Sequence, residues 1–359
     1  MTRAAPSFET AQNRRQRARA AGLDPNYWYA VEYDRAVGPG RVVEVKFWGT
    51  SIALYRGTDG RLRALENRCA HRQLKLSLGE VSGCTLTCAY HGWSYAEDGR
   101  LAAIPHDLFG RPMPSIGIRS YPLRVRYGLV WLFPGDPARA AVRPLPEIPE
   151  MEGADPWAYV PLSFTWRAHH SMVMDNLCDL THAHLHRRYP SFLPGRLLRG
   201  ETVGDRVVLN YEAKVGPLVR SGRGTPRPLE ICYDYPYHRA TFEWSNIEGR
   251  IQYWTFVLPM DARTSRVFFV FCYDALKIPW LPFRIGHRAM TAVMWLAHRF
   301  VPLLEQDGFA LEAEQEGYDA GFEAAPLELN PVVALLHQLT IRKWEAHLAG
   351  TIASTLVEA

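Results

Sequence analysis

Two sets of metal-seeking side chains punctuate the 359-residue chain. The first is Cys69-Ala70-His71, followed after sixteen intervening residues by Cys88-Ala89-Tyr90-His91. Two thiols and two imidazoles at such spacing are compatible with zinc. Zinc fingers, however, pair Cys with Cys across about two to four residues and His with His across about three to five. Here each segment supplies one residue of each type. That arrangement suits a [2Fe–2S] centre in which two thiolates hold one iron and two imidazoles the other. With imidazole in place of thiolate, the potential rises above that of an all-cysteine cluster. Cys84 falls outside the pattern and reads as a hairpin residue.

The second set begins at residue 175, in Asp-Asn-Leu-Cys-Asp-Leu-Thr-His-Ala-His-Leu-His, ending at His186. On a helix Asp179, His182 and His186 are i, i+3 and i+7 and share a face, with Asn176 one turn earlier. His184 lies about 200° around the axis from His182 and points away. A solvated helix face that happens to hold histidine is the plain alternative. Against it, two imidazoles and two polar groups in one stripe cost burial energy unless something pairs them. Two histidines call for a carboxylate to complete a 2-His-1-carboxylate triad, which leaves positions open for O₂ and substrate. Asp307 is the favoured donor. Leu304, Asp307 and Leu311 are i, i+3 and i+7, so Asp307 interrupts an apolar stripe. Glu314, two turns on, is the competing carboxylate.

These groups need elements to position them. From Tyr27 to Phe133 the pattern is strands and tight turns, with runs at Val42–Trp48, Ile52–Tyr55 and Leu129–Phe133. Asp59-Gly60 and Asp98-Gly99 are expected to form type I′ hairpin turns, both central residues taking positive φ. Prolines 134, 137, 144, 146 and 149 mark residues 134–150 as a linker. Residues 165–190 carry helical spacing. Val207–Tyr211, Leu229–Ser245, Ile251–Leu258 and Val267–Tyr273 read as antiparallel strands, and residues 285–317 and 331–349 as helices. The fold class is therefore α+β: a polar N-terminal extension (1–26), an all-β domain (27–133), the linker (134–150), and a sheet-plus-helices domain (151–359).

Composition narrows the field. Hydrophobic residues make up 47% and the net charge is +4, too mild for a nucleic-acid binder. Six cysteines in a chain of this size do not make a disulfide scaffold. Residues 1–22 are arginine-rich without an apolar core, which does not read as a secretory signal; the arginines alone fit a mitochondrial-type presequence, and a polar helix of a cytoplasmic protein is the plainer reading. Arg284, His287, Arg288, His298 and Arg299 interrupt the stretch Lys277–Leu304, so no transmembrane span is expected.

Cys88-Ala-Tyr-His91-Gly92-Trp93 resembles the Rieske domain of the non-haem iron oxygenases. Respiratory-chain Rieske proteins carry a further cysteine in each loop, whereas Leu74 and Tyr90 stand at those positions here. A Rieske motif alone would also fit a ferredoxin-like electron carrier, and the second site separates the two. Asp-Asn-Leu-Cys-Asp-Leu-Thr-His is similar to the mononuclear-iron motif of the vanillate demethylase, dicamba monooxygenase and chlorophyllide oxygenase branch. The likeness runs from Tyr27 to Gly317. It implies His182, His186 and Asp307 as Fe(II) ligands, Asp179 as a bridging carboxylate and Asn176 as a nearby amide. One departure is that three residues separate His182 and His186 where these relatives have four; carbazole-dioxygenase-like members have three.

The resemblance implies a terminal oxygenase component that uses O₂ to hydroxylate or oxidatively demethylate its substrate. It also implies a homotrimer, in which Asp179 links His91 of one subunit to His182 of the next. No Gly-rich dinucleotide motif and no plant-type ferredoxin cysteine run is present, so electrons must come ultimately from NAD(P)H through a reductase or ferredoxin partner. The aromatics between Tyr233 and Tyr273 suggest a pocket for a hydrophobic ring substrate: an aromatic compound, a sterol or other isoprenoid, or a tetrapyrrole. Aromatic filling of a sheet core is the plainer reading. Arg284, Arg288 and Arg299 beside Trp280, Phe283, Met290 and Trp295 could form a basic amphipathic surface in peripheral contact with a membrane, or simply a solvated helix face.

Overall fold

The computed structural model describes residues 5–154, 156–188, 192–216, 224–245, 248–274, 286–300, 302–324 and 326–358, leaving aside the side chains of 287, 298–300 and 351–358. Two compact units emerge: Asp24–Leu145 with Leu258–Asp261, and Met1–Leu23 with Pro146–Val257 and Ala262–Ala359. Helix α1 (Arg14–Ala20) belongs to the second, larger unit.

The smaller unit is built from short strands: β1 (Tyr29–Tyr33), β2 (Val42–Phe47), β3 (Thr50–Arg56), β4 (Leu62–Glu66), β5 (Glu80–Ser82), β6 (Thr85–Thr87), β7 (Ser94–Tyr95), β8 (Leu101–Ala103), β9 (Leu123–Arg126) and β10 (Leu129–Leu132), followed by the one-turn helix α2 (Pro137–Ala140). They form three antiparallel sheets, β1-β10-β9, β2-β3-β4 and β5-β6-β7-β8. The expected type I′ turns fall elsewhere. At Asp59-Gly60 and Asp98-Gly99 only the glycines have positive φ. Each aspartate instead accepts from the N–H two residues on, Arg61 at 3.1 Å and Arg100 at 3.0 Å, which holds an Asx turn. Two consecutive positive-φ residues occur at Trp48-Gly49, Phe109-Gly110 and Tyr127-Gly128; the first and last join β2 to β3 and β9 to β10 without the usual hairpin composition. Cys84 does lie in the tight turn joining β5 to β6.

The larger unit carries β11 (Ala158–Trp166), α3 (His170–Cys178), β12 (Arg196–Val203), β13 (Arg206–Ala213), β14 (Arg227–Asp234), β15 (Tyr237–Glu243), β16 (Arg250–Asp261), β17 (Thr264–Tyr273), α4 (His287–Phe300), α5 (Leu303–Gly321) and α6 (Pro331–Glu358). Its seven-stranded sheet has the order β11-β17-β16-β15-β14-β13-β12. Strands β11 and β12 were not among the sequence expectations, and Leu229–Ser245 is two strands separated by a turn at Tyr235-Pro236. Residues 285–317 are likewise not one helix. Proline has no N–H to continue the ladder, and Pro302 separates α4 from α5. Helix α1 buries Ala18, with Ala21 and Leu23 after it, and packs on α3 and α6. Among the described residues no helix is long and apolar enough to cross a membrane. Trp280, Phe283 and Arg284 lie outside the described residues. On α4 Arg288 and Trp295 are exposed and Met290 is buried.

Candidate functional site

In the smaller unit the two Cys/His segments are loops of one design. Cys69 N–H donates to Leu74 O at 2.9 Å and Gln73 N–H back to Cys69 O at 2.9 Å. Cys88 N–H donates to Trp93 O at 2.9 Å and Gly92 N–H to Cys88 O at 3.0 Å. Four residues past each cysteine the backbone turns left-handed, at Gln73 (φ 61°) and Gly92 (φ 69°). Glycine suits the second position doubly, since a Cβ there would come within 2.6 Å of Pro105. Both thiols are buried in the core with Leu76, Leu86 and Tyr95, while both imidazoles are half-buried at the surface.

The thiols lie side by side. The His71 and His91 rings lie 4.6 Å apart, and the His71 ring stacks on Trp93 at 4.6 Å. Tyr95 Oη accepts from Ala70 N–H at 2.9 Å and stands 3.2 Å from Cys69 Sγ. Burial pushes the Cys88 thiol up, partly offset by the backbone N–H groups of Tyr90 and His91. Burial and the neighbouring His71 hold His91 below its ordinary value. His71 Nδ1 is buried with no hydrogen-bond partner. Thiol beside thiol, and imidazole beside imidazole with an orphaned nitrogen, fits a two-iron cluster. A single tetrahedral ion would draw all four donors to one point.

In the larger unit the second set does converge, though not by the expected route. Helix α3 stops at Cys178, and Asp179 is extended (φ −94°, ψ 120°). Its carboxylate accepts from Thr181 N–H at 2.7 Å and from Thr181 Oγ1 at 3.0 Å, taking a donor that a continued helix would need. His182–His184 then form a separate 3₁₀ turn. Asn176, Asp179, His182 and His186 therefore do not share one helix face. His184 is exposed, and His186 is 2% exposed.

His182, His186 and Asp307 are the one group of three such donors within 4.8 Å of one another among the described residues. His182 Nε2 and His186 Nε2 stand 3.6 Å and 3.2 Å from Asp307 Oδ1. Donors bound at about 2.1 Å and roughly at right angles to one ion stand about 3 Å apart, so the set fits a single metal. Asn176 Nδ2 lies 3.4 Å from the same oxygen, at the long end of a hydrogen bond. Burial keeps His182 low despite the nearby Asp307 and Asp179 charges, which favours the neutral imidazole a metal needs. Asp307 can sit so close because its neighbour is Gly308: a Cβ there would overlap the Trp166 indole and hold α5 off the sheet.

Several supporting residues carried no signal in the sequence. Gln306 Oε1 accepts from His186 Nδ1 at 2.9 Å, leaving Nε2 for the metal side. Asn330 Nδ2 donates to Asp179 Oδ1 at 3.1 Å, and Tyr211 Oη to Cys178 O at 2.9 Å. Glu314, the competing carboxylate, instead meets Arg19 at 3.1 Å. Arg19 also reaches Asp175 at 2.8 Å, and Asp175 reaches His337 Nε2 at 2.9 Å. A buried cation thus ties α3, which precedes His182, to α5, which carries Asp307.

The donor set opens into a cavity of about 190 Å³. Apart from the donor set with Asn176 and Asp179, its lining is apolar save for the Tyr253 phenol. Of the aromatics singled out between Tyr233 and Tyr273, Phe242, Tyr253, Phe269 and Phe271 line it; Tyr233 and Phe268 are buried without lining it.

Residues 27–119 match the Rieske [2Fe-2S] domain, and residues 166–349 the vanillate O-demethylase oxygenase C-terminal domain. The chain is similar to a 4beta-methylsterol monooxygenase of Methylococcus capsulatus, with 40% identity over 344 residues that span 93% of this chain and 92% of the relative. It is similar over a shorter stretch to the vanillate O-demethylase oxygenase subunit of a Pseudomonas species, 38% identical over 133 residues, 36% of this chain and 39% of that one. The crystal structure of dicamba monooxygenase bound to dicamba superposes with a TM-score of 0.75 at 19% identity, covering 92% of this chain and 100% of that one. At that identity the likeness is one of fold.

Proposed function

The chain belongs to the Rieske non-haem iron oxygenases, as a terminal oxygenase, and on that premise we propose that it oxidises a methyl carbon on an apolar polycyclic substrate of the sterol or related isoprenoid class. The observation that carries this is a single-ion donor set opening into an almost wholly apolar cavity. Identity to a methylsterol monooxygenase across nearly its whole length supports the substrate class. Monooxygenation of a methyl group takes one O₂, two electrons and two protons, and yields the alcohol and water. Oxygenase components of this family take their electrons from a reductase or ferredoxin partner.

We assign Cys69 and Cys88 to one iron of the cluster, His71 and His91 to the other, and His182, His186 and Asp307 to a mononuclear iron. When bound, that iron supplies O₂ activation. The chain's own part is to orient and to exclude water. Gln306 fixes the His186 tautomer, Asn176 holds the Asp307 carboxylate, and the apolar wall keeps solvent from the reacting carbon. Asp179, anchored by Thr181 and Asn330, would link His182 to His91 of a neighbouring subunit in a cytoplasmic homotrimer. In this reading residues 27–133 carry the cluster and 151–359 the oxygenase site. Exposed Val293, Trp295 and Leu296 on α4 support loading of substrate from a lipid surface.

The test is mass spectrometry of lipid extracts from cells that express the wild-type chain or His182→Ala with a compatible reductase. A sterol-class metabolite gaining one oxygen only with the wild type is expected. Matching extracts would remove the sterol assignment.

A further inference from the structure

Beside the cavity lie polar atoms that the donor set does not use. On β15, His238, Ala240 and Phe242 alternate onto one face of the sheet, and Ala240 and Phe242 line the cavity. On β16, Tyr253 stands opposite Ala240 and Thr255 opposite His238. Tyr253 lines the cavity, and its ring lies 5.5 Å from that of His238. His238 and Thr255 are therefore neighbours on the cavity face, one residue pair beyond its wall. Both are 0% exposed. Neither ring nitrogen of His238 has a hydrogen-bond partner, and neither has Thr255 Oγ1. The Leu177 carbonyl is near enough to favour the charged ring slightly but does not complete a bond.

Three unpaired polar atoms on two adjacent, fully buried side chains are costly in an otherwise apolar setting. Ala240, the smallest side chain of the cavity lining, is the next residue to His238 on that face of β15. We propose that His238 and Thr255 form a hydrogen-bonding subsite that receives one uncharged hydroxyl or carbonyl of an otherwise apolar substrate. Burial holds the imidazole neutral, pushing its pKa down to about 3. A neutral imidazole offers one donor and one acceptor, and a threonine hydroxyl offers both. That set matches an alcohol or ketone and gives no charge to hold a carboxylate or phosphate. The inference rests on the proposed function for the rest of the substrate: a ring alcohol, not a hydrocarbon and not an acid, is what the cavity selects.

The experiment compares equilibrium binding of a methylsterol that bears its ring hydroxyl with that of the same skeleton lacking it, on the metal-loaded protein. The wild type is expected to prefer the alcohol by on the order of tenfold, one well-made buried hydrogen bond. In His238→Phe/Thr255→Val the preference should vanish through weaker alcohol binding, with hydrocarbon binding kept. Thr255→Val alone preserves shape and should lose part of the preference, so the test survives a double variant that does not fold. Equal binding of both probes by the wild type, or an undiminished preference in the variants, would overturn the subsite.

Cyclohexanol and methylcyclohexane, read by ligand-induced thermal stabilisation, test the subsite without the sterol skeleton. If neither sterol binds but cyclohexanol stabilises the wild type more than Thr255→Val, the sterol assignment falls and the subsite stands. Without ligand, Thr255→Val should melt no lower than the wild type. A lower melting temperature together with unchanged ligand preference would mean that an internal water satisfies these groups, and would remove the proposal.

Discussion

Replacing Gln306 by leucine isolates the contribution of one supporting hydrogen bond to the metal site. Gln306 Oε1 accepts from His186 Nδ1 at 2.9 Å, and the opposite nitrogen faces Asp307 Oδ1 at 3.2 Å. Leucine keeps the helix preference of glutamine and much of its bulk but cannot accept, so the imidazole loses the group that fixes its tautomer. The lost bond amounts to about 1 kcal/mol, and to about 3 kcal/mol if the donor stays buried. Fe(II) affinity should accordingly fall roughly 5- to 150-fold. Gln306→Glu retains the acceptor and should bind Fe(II) at least as tightly as the wild type. The assay is competition for Fe(II) between a chelator and cluster-loaded protein, with the cluster absorbance as an internal control that neither variant should change. Wild-type affinity in Gln306→Leu, or an equal loss in Gln306→Glu, would refute the role given to Gln306.

Three further outcomes follow from the same geometry. In Tyr95→Phe the cluster loses the hydroxyl 3.2 Å from Cys69 Sγ; a donor to sulfur favours the reduced form, so protein-film voltammetry should show the potential falling by about 40 mV, the equivalent of about 1 kcal/mol on a one-electron couple. Arg19→Met removes the 2.8 Å partner of the buried Asp175, which keeps His337, and should cost about 1.5–3 kcal/mol in urea denaturation, with a loss under about 1 kcal/mol contradicting the tie between α3 and α5. Burial lowers His170 to about 4 and His238 to about 3 from the ordinary 6.5; the unfolded chain takes up protons that the folded one refuses, so stability is full above 6.5 and falls with pH toward those values, by about 2 kcal/mol per histidine between pH 7 and pH 5. Denaturation midpoints unchanged over that interval would contradict it.

The chemistry of the chain was legible in the sequence because metal donors are few and their spacing is short. Cys69, His71, Cys88 and His91 stand on the paired loops their spacing suggested. His182, His186 and Asp307 meet although the helix expected to align them does not exist. Periodicity placed the two histidines on one face, but Asp179 capping Thr181 ended the helix, and a 3₁₀ turn brought the rings together instead. The Asx turns at Asp59 and Asp98 show the same competition between a side-chain acceptor and the regular backbone pattern. Left-handed Trp48, Gln73 and Tyr127 gave no compositional warning, because tertiary packing imposes those conformations. Gln306, Asn330, Arg19 and His337 were silent for another reason. Each acts through a partner distant in sequence, and a single sequence carries no record of such pairs.

The central claim is that one chain holds two different iron centres through the residues assigned here. The most direct test is quantification of iron and acid-labile sulfide per chain in the wild type and in Asp307→Ala. The wild type should hold three irons and two sulfides, and the variant two irons and two sulfides with the reduced-cluster paramagnetic signal intact. An unchanged iron count in Asp307→Ala, or zinc in place of iron and sulfide at the Cys69 and Cys88 loops, would contradict the account.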